Sequence, residues 1–181
     1  MKKAFAFGDK SIESAVRRVN EVRCVAIIGA GTMGQGIAID LLKKTEYELV
    51  LLDVQAEALD RARARFDAMR TADVKELRLR PEDARRAEAR ITFSQSYDGL
   101  ARADVVWEVA TERGEIKAKI FAAIEKHVEL DHIAAIFSNT SSHTTGELAV
   151  LFKSEALREK FLTVHGYFPF ESNRLIDVMK G

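Results

Sequence analysis

Residues 24–34 read Cys24-Val25-Ala26-Ile27-Ile28-Gly29-Ala30-Gly31-Thr32-Met33-Gly34. Five apolar residues without alternation suit a strand buried on both faces. Gly29-x-Gly31-x-x-Gly34 stops that strand, and Ile37, Ala38, Leu41 and Leu42 follow at helical spacing over 34–44. Strand, glycine turn and helix together form the start of a crossover in a parallel sheet. In such a turn Gly29 permits the tight bend. Gly31 lets the backbone approach a pyrophosphate, and Gly34 lets helix and strand pack closely. The helix that follows then offers N–H groups and a partial positive charge at its N-terminus to phosphates, and Thr32 and Met33 within the turn count with the glycines as cofactor-binding candidates.

The pattern repeats outward from this unit. Leu49–Leu52 reads as a second strand ending at Asp53, and Leu59, Ala62, Phe66 and Met69 line one face of the next helix. Pro81, with Glu82 and Asp83 after it, starts another helix. Residues 54–90 exceed what one crossover helix needs, so the spacing predicts a helical pair extending from the sheet. Ile91–Phe93 and Val105–Trp107 are short strands, the latter ending at Glu108, and Ile116, Ile120, Ile124 and Val128 form a helical stripe. Ile133–Phe137 is the fifth strand, closing on Ser138-Asn139-Thr140-Ser141-Ser142. Thr144 with Glu147 predicts a capping box for a helix through Leu148, Leu151 and Phe152. Phe161–Val164 is a sixth strand ending at His165, and Leu175–Met179 is the last. Strands alternating with helices give an α/β, doubly wound, mainly parallel sheet. Residues 1–21 form an N-terminal extension, helical where Ile12, Val16 and Val19 are spaced behind Asp9 or Ser11, and residues 22–181 form the domain.

Length and composition narrow the function. At 181 residues the chain fits one domain and buries about 70% of its unfolded surface. Twenty-eight basic residues balance twenty-eight acidic ones, against an electrostatic nucleic-acid or membrane binder. One cysteine and four scattered histidines offer neither a disulfide nor metal-ligand spacing. No apolar run spans a bilayer, and no signal or transit peptide is evident, so a cytoplasmic protein is expected.

Ligands of open α/β sheets bind beyond the carboxyl ends of the strands, where this chain places its distinctive polar residues. Asp53 ends strand two; its carboxylate would accept ribose hydroxyls and repel a 2′-phosphate, and Val54 and Gln55 supply no cation, favouring NAD over NADP. His165 is the proton-transfer candidate, with Asp177 on the next strand placed to fix its tautomer; a structural histidine fits the spacing as well. The Ser138–Ser142 run could orient an amide, ribose or hydroxyl, or equally cap a helix. Glu108 and Glu112 read as paired acids or as a surface face. Arg61 to Arg90 interleaves with acids as a solvated helical surface, and Trp107 reads as packing.

Taken together, these motifs resemble the NAD-binding domain of the 3-hydroxyacyl-CoA dehydrogenases. The resemblance is carried by Val25 to Ala38 around the glycine turn, Asp104-Val105-Val106-Trp107-Glu108-Val109-Ala110-Thr111-Glu112 with Lys117, Ser138 to Ser142, and His165 followed by Pro169. It runs from about Val22 to Gly181 and implies a Rossmann-type fold. It also implies oxidation of a 3-hydroxyacyl-CoA to a 3-oxoacyl-CoA with NAD, in fatty acid β-oxidation. By this likeness His165 removes the hydroxyl proton, Asp177 matches the glutamate that orients the histidine, and Ser141 matches the serine on the substrate oxygen. Asn139 falls in the supporting loop, Glu112 and Lys117 match positions near the nicotinamide end, and the helical extension would help hold CoA.

The chain departs from that pattern at several points. His165-Gly166-Tyr167-Phe168-Pro169 stands where the family reads His-Phe-Phe-Asn-Pro, so Phe168 replaces an amide. Asp177 is one methylene shorter than glutamate, and misplacement of about 1 Å can cost a hundredfold in rate. The family continues into a helical C-terminal domain that forms its dimer, so a homodimer is expected only with that domain present. Two alternatives follow from these departures: a non-catalytic NAD-binding module, or a dehydrogenase of a small hydroxy acid without CoA.

Overall fold

The computed structural model describes residues 21–167, 170 and 176–179. The helix expected over 11–20 lies outside these residues, as do Phe168, Pro169 and Leu175. Among the described residues fourteen elements follow in chain order. β1 (Cys24–Ile28), α1 (Thr32–Lys44) and β2 (Glu48–Leu52) come first. The helical pair α2 (Ala56–Lys75) and α3 (Pro81–Ala89) precedes β3 (Ile91–Ser94). A 3₁₀ turn over Tyr97–Arg102 leads to β4 (Val105–Glu108), α4 (Gly114–His127) and β5 (Ala135–Asn139). Two short helices, α5 (Thr145–Ala149) and α6 (Glu155–Glu159), lead to β6 (Phe161–Gly166) and β7 (Ile176–Met179).

The strands form one sheet in the order β3-β2-β1-β4-β5-β6-β7. Every pairing is parallel except β6 with β7, which is antiparallel. This is the doubly wound, Rossmann-type architecture, and its strand order reverses between β1 and β4, where ligands of such sheets sit. Both faces are covered, which explains the unalternating apolar strands. Val25 and Ile27 of β1 pack with Leu49, Leu51, Ile37 and Phe66 in one layer. Cys24, Ala26 and Ile28 pack with Val50, Leu52, Phe121 and Ile124 in the other. Phe121, Phe152 and Phe161 make a three-ring cluster with centroids 4.8–5.6 Å apart in that second layer. Trp107 packs edge-on against Phe137 and Phe170, each at 5.7 Å.

Three boundaries differ from expectation in ways that matter. α1 begins at Thr32, inside the glycine motif, and its first helical bond runs from Gln35 N–H to the Gly31 carbonyl. β5 starts two residues later than its apolar run and carries Ser138 and Asn139 within the strand. Ile133 belongs instead to a turn closed on the Glu129 carbonyl. β6 extends through His165 to Gly166 because β7 pairs with it there.

The helical pair is latched onto the sheet edge by charges. Asp73 accepts from Lys43 of α1 at 2.9 Å and from Arg78 at 2.8 Å. The Lys43 bond, with Arg78, holds the Asp73 carboxyl below its ordinary range despite burial. The Arg90 guanidinium donates to the carbonyls of Leu42, Thr45 and Tyr47, satisfying acceptors at the end of α1. Arg63, Arg70, Arg80 and Arg86 pair with acids on the same two helices, so the arginine-rich stretch is a self-neutralised surface. Thr144 and Glu147 form the capping box of α5.

Candidate functional site

The parallel strands β1, β2, β4, β5 and β6 bring their carboxyl ends to one edge, and five polar clusters meet there. The first is the glycine turn. Gly29 has φ +112°, a conformation that glycine adopts without a Cβ penalty, and a Cβ there would lie 2.7 Å from Ala110 Cα. A Cβ on Gly34 would fall 1.9 Å from the Gly29 carbonyl oxygen, so helix and turn meet backbone to backbone. A Cβ on Gly31 would meet no protein atom within 4 Å. Gly31 caps α1 without a side chain, and Gly31 and Thr32 are exposed, so the first N–H groups of α1 face open space. Every other described helix carries an acid in its first turn; α1 carries none. That donor set, with room beside Gly31, fits an anionic pyrophosphate.

Asp53 closes the second cluster. Its Oδ2 accepts the Ala30 N–H at 2.8 Å and its Oδ1 accepts the Gln55 N–H at 3.0 Å. One carboxylate therefore fixes the glycine turn, and each oxygen keeps a lone pair for a ribose hydroxyl. Gln35 reinforces the turn from inside by donating to the Ala30 carbonyl at 2.7 Å.

The third cluster lies at the switch point and is wholly buried. Lys117 Nζ sits 2.7 Å from Glu108 Oε2 and 3.2 Å from Ser138 Oγ, and both charged side chains are fully buried. Ser138 Oγ donates to Glu108 Oε2, and Ala110 N–H donates to Glu108 Oε1 at 2.9 Å. Glu108 is therefore a buried counter-ion joining β4, β5 and α4, and neither a surface acid nor a partner of Glu112. Lys117 lies on the same face of α4 as Ile120, Phe121 and Ile124. That placement on the apolar stripe was the signal that could have revealed its burial.

Glu112 organises the fourth cluster. Its Oε2 accepts from Thr140 Oγ1 at 2.7 Å and Ser142 Oγ at 3.2 Å, and its Oε1 accepts from Ser141 N–H at 3.0 Å. Its carbonyl accepts from His143 Nε2 at 3.1 Å. Burial pushes the Glu112 carboxyl up. The Ser141 N–H, the Thr140 hydroxyl, the Lys117 charge and the Ser142 hydroxyl together outweigh that, and it lies below its ordinary range. Lys117 is 4.0 Å from Glu112, so the buried pair and the loop staple adjoin.

The fifth cluster spans β5, β6 and β7. Asn139 Oδ1 accepts the Gly166 N–H at 3.0 Å, tying β5 to β6. His165 stands directly opposite Asp177 in the antiparallel pair. Ser141, His143, Thr144, His165 and Asp177 line one cleft of about 580 Å³. The Asp177 carboxylate bonds to the Tyr167 hydroxyl at 2.8 Å, and no hydrogen bond or ion pair joins it to His165. Tyr167 and His143 were not singled out from sequence; each is an isolated polar residue whose importance comes from a cross-strand or loop contact. Among the described residues no group of three His, Cys, Asp or Glu side chains could hold a metal ion. No helix among them is long and apolar enough to cross a membrane.

Comparison with known proteins identifies the family. The family model for the NAD binding domain of 3-hydroxyacyl-CoA dehydrogenase matches residues 24–181. The solved (S)-3-hydroxybutyryl-CoA dehydrogenase of Ralstonia eutropha is 32% identical with a TM-score of 0.76, over 88% of this chain and 54% of that one. The 3-hydroxybutyryl-CoA dehydrogenase of Escherichia coli K12 is also 32% identical, with a TM-score of 0.78, over 87% of this chain and 32% of that one. A 3-hydroxyacyl-CoA dehydrogenase of Archaeoglobus fulgidus is 28% identical with a TM-score of 0.67, over 86% of this chain and 46% of that one. The chain thus spans about half or less of the length of these proteins. Its cofactor is NAD, as the matched family model states. By its matched residues, its strand order and its glycine turn, the chain belongs to the 3-hydroxyacyl-CoA dehydrogenase family, as that family's NAD-binding domain.

Proposed function

We propose that this chain serves the NAD-dependent oxidation of a 3-hydroxyacyl-CoA to the 3-oxoacyl-CoA, with His165 as proton acceptor. The observation that carries the proposal is the single cleft shared by Ser141, His165 and Asp177 at the carboxyl edge of the sheet. NAD, held by the turn at Gly31, the open end of α1 and the Asp53 carboxylate, would supply the hydride acceptor for C3 of the substrate. As the hydride leaves, the C3 hydroxyl proton passes to an unprotonated ring nitrogen of His165, and the C3–O bond becomes a carbonyl. Asp177, opposite His165, offsets the charge of the imidazolium that forms. The Ser141 hydroxyl hydrogen-bonds the substrate oxygen, held in place because Glu112 anchors the Ser141 N–H.

In this proposal Glu112 and Lys117 support the nicotinamide end indirectly. Lys117 is fully buried against Glu108, and Glu112 spends its carboxylate on the loop. Asn139 holds β6 in position, as its Gly166 bond supports. The helical pair after β2 is the proposed contact for CoA, and the cytoplasm the proposed compartment. A homodimer would be built through residues beyond this domain.

The test is NAD reduction with 3-hydroxybutyryl-CoA by the chain and by His165→Gln. A general base is worth roughly 10²–10⁴ in rate, so the variant should lose at least a hundredfold in kcat. Equal rates would remove His165 from the chemistry. NADH binding without turnover would favour a cofactor-binding module, and turnover of 3-hydroxybutyrate in place of its CoA thioester would favour a small hydroxy acid.

A further inference from the structure

We propose that Tyr167 is a positioning residue, its hydroxyl anchoring the Asp177 carboxylate against His165; this rests on the reading of His165 as the base. The pairing of β6 with β7 puts His165 opposite Asp177. Side chains of opposed residues share one face of the sheet, with Cβ atoms about 5 Å apart. Tyr167, two residues beyond His165, emerges on that same face. It stands diagonal to Asp177, within reach of an aromatic side chain. The phenol donates to Asp177 Oδ2 at 2.8 Å. Its ring lies 4.5 Å from the imidazole, centroid to centroid, inclined by 56°. One side chain thus touches both members of the proton-handling pair.

Asp177 is exposed on the edge strand, and Tyr167 is its one hydrogen-bond partner among the described residues. An aspartate there without an anchor is free to turn into water. Tyr167 removes that freedom and leaves Oδ1 available to His165. The bond to Asp177 pushes the phenol above its ordinary range, so Tyr167 remains a donor throughout neutral pH. Among the described residues the other titratable group bordering the cleft is His143, whose Nε2 is bound to the Glu112 carbonyl; the Glu112 carboxylate lies behind the loop, bonded to it. Glutamate at position 177 would carry one more methylene and reach the histidine with less help. The tyrosine therefore compensates for the shorter acid.

The experiment is an NMR titration of the His165 imidazole in the 181-residue chain without cofactor or substrate, with His127 and His132, which lie by Asp98 and Asp104 away from the cleft, as internal controls. Asp177→Asn should lower the His165 midpoint by removing the carboxylate charge. Tyr167→Phe keeps the ring and should also lower it, by about half a pH unit. The double variant should match Asp177→Asn, since the tyrosine acts only through the aspartate. In an Asp177→Glu background the effect of Tyr167→Phe should shrink. A midpoint raised by Tyr167→Phe would show that the tyrosine draws the carboxylate away, and an unchanged midpoint would show packing alone; either overturns the proposal. The readout needs no turnover. Coupled midpoints without oxidation of 3-hydroxybutyryl-CoA sink the proposed activity alone, whereas oxidation with uncoupled midpoints sinks this placement alone.

Discussion

Lys117→Met isolates the buried charge at the switch point. Methionine keeps most of the apolar stem and removes the ammonium that lies 2.7 Å from Glu108 and 3.2 Å from Ser138. Glu108 would retain its bonds from Ala110 N–H and the Ser138 hydroxyl, but its charge would sit uncompensated where both side chains are 0% exposed. Breaking a buried pair from one side costs about 3–5 kcal/mol. Because two hydrogen bonds to the carboxylate survive, the loss should fall at the low end, about 3 kcal/mol. At this length each kcal/mol moves the midpoint by about 2–4 °C, so the variant should melt roughly 6–12 °C below the parent. Urea and thermal unfolding can be followed through Trp107, the single tryptophan, which precedes Glu108 and is 8% exposed. Glu108→Gln/Lys117→Met removes both charges and should recover part of the loss. A single variant within about 1 kcal/mol of the parent, or a double variant no more stable than the single, refutes the reasoning.

Two glycines of one motif should separate cleanly. Gly34→Ala forces a Cβ to 1.9 Å from the Gly29 carbonyl and should cost about 1–3 kcal/mol or more, read by urea unfolding. Gly31→Ala meets no protein atom, so stability should change by less than about 1 kcal/mol while calorimetry shows at least a tenfold loss of NAD affinity. Equal destabilisation of the two would contradict the geometry. Glu112→Gln should be less stable than the parent at pH 7. Because the folded carboxyl of Glu112 lies below its ordinary 4.5, that advantage is complete above 4.5 and disappears as pH falls through the folded value. The gap between parent and variant should therefore close in acid, and a constant gap from pH 7 to pH 3 would exclude the charge as its cause. Asp73→Asn should weaken the latch between α1 and the helical pair, seen as faster amide exchange in α2 with β1 unchanged.

How much was readable in advance follows from how far apart the interacting residues lie. The unalternating strands, the glycine turn and the capping box of Thr144 and Glu147 depend on residues a few positions apart, and local spacing identified each. The helical pair over 54–90 was legible for the same reason, through Pro81 and the stripe at Leu59, Ala62 and Phe66. Glu108 was left between a paired acid and a surface residue, because nothing in its neighbours states that β5 and α4 enclose it. Its partners Lys117 and Ser138 lie 9 and 30 residues away.

By itself the sequence determined the doubly wound sheet, the glycine turn and the position of the acid that closes strand two, since burial on both faces and close backbone approach are written in residue type and period. The pairing of Asp177 with His165 was also open to sequence, as neighbours on successive strands, and the register sets them opposite. Only the tertiary structure decided the remaining partners: the diagonal across that pair gives the Asp177 carboxylate to Tyr167, and closure of α4 over the sheet turns Lys117 and Glu108 into a buried pair. Register and closure depend on how distant segments pack together, and a shift of one residue would send these side chains to the opposite face.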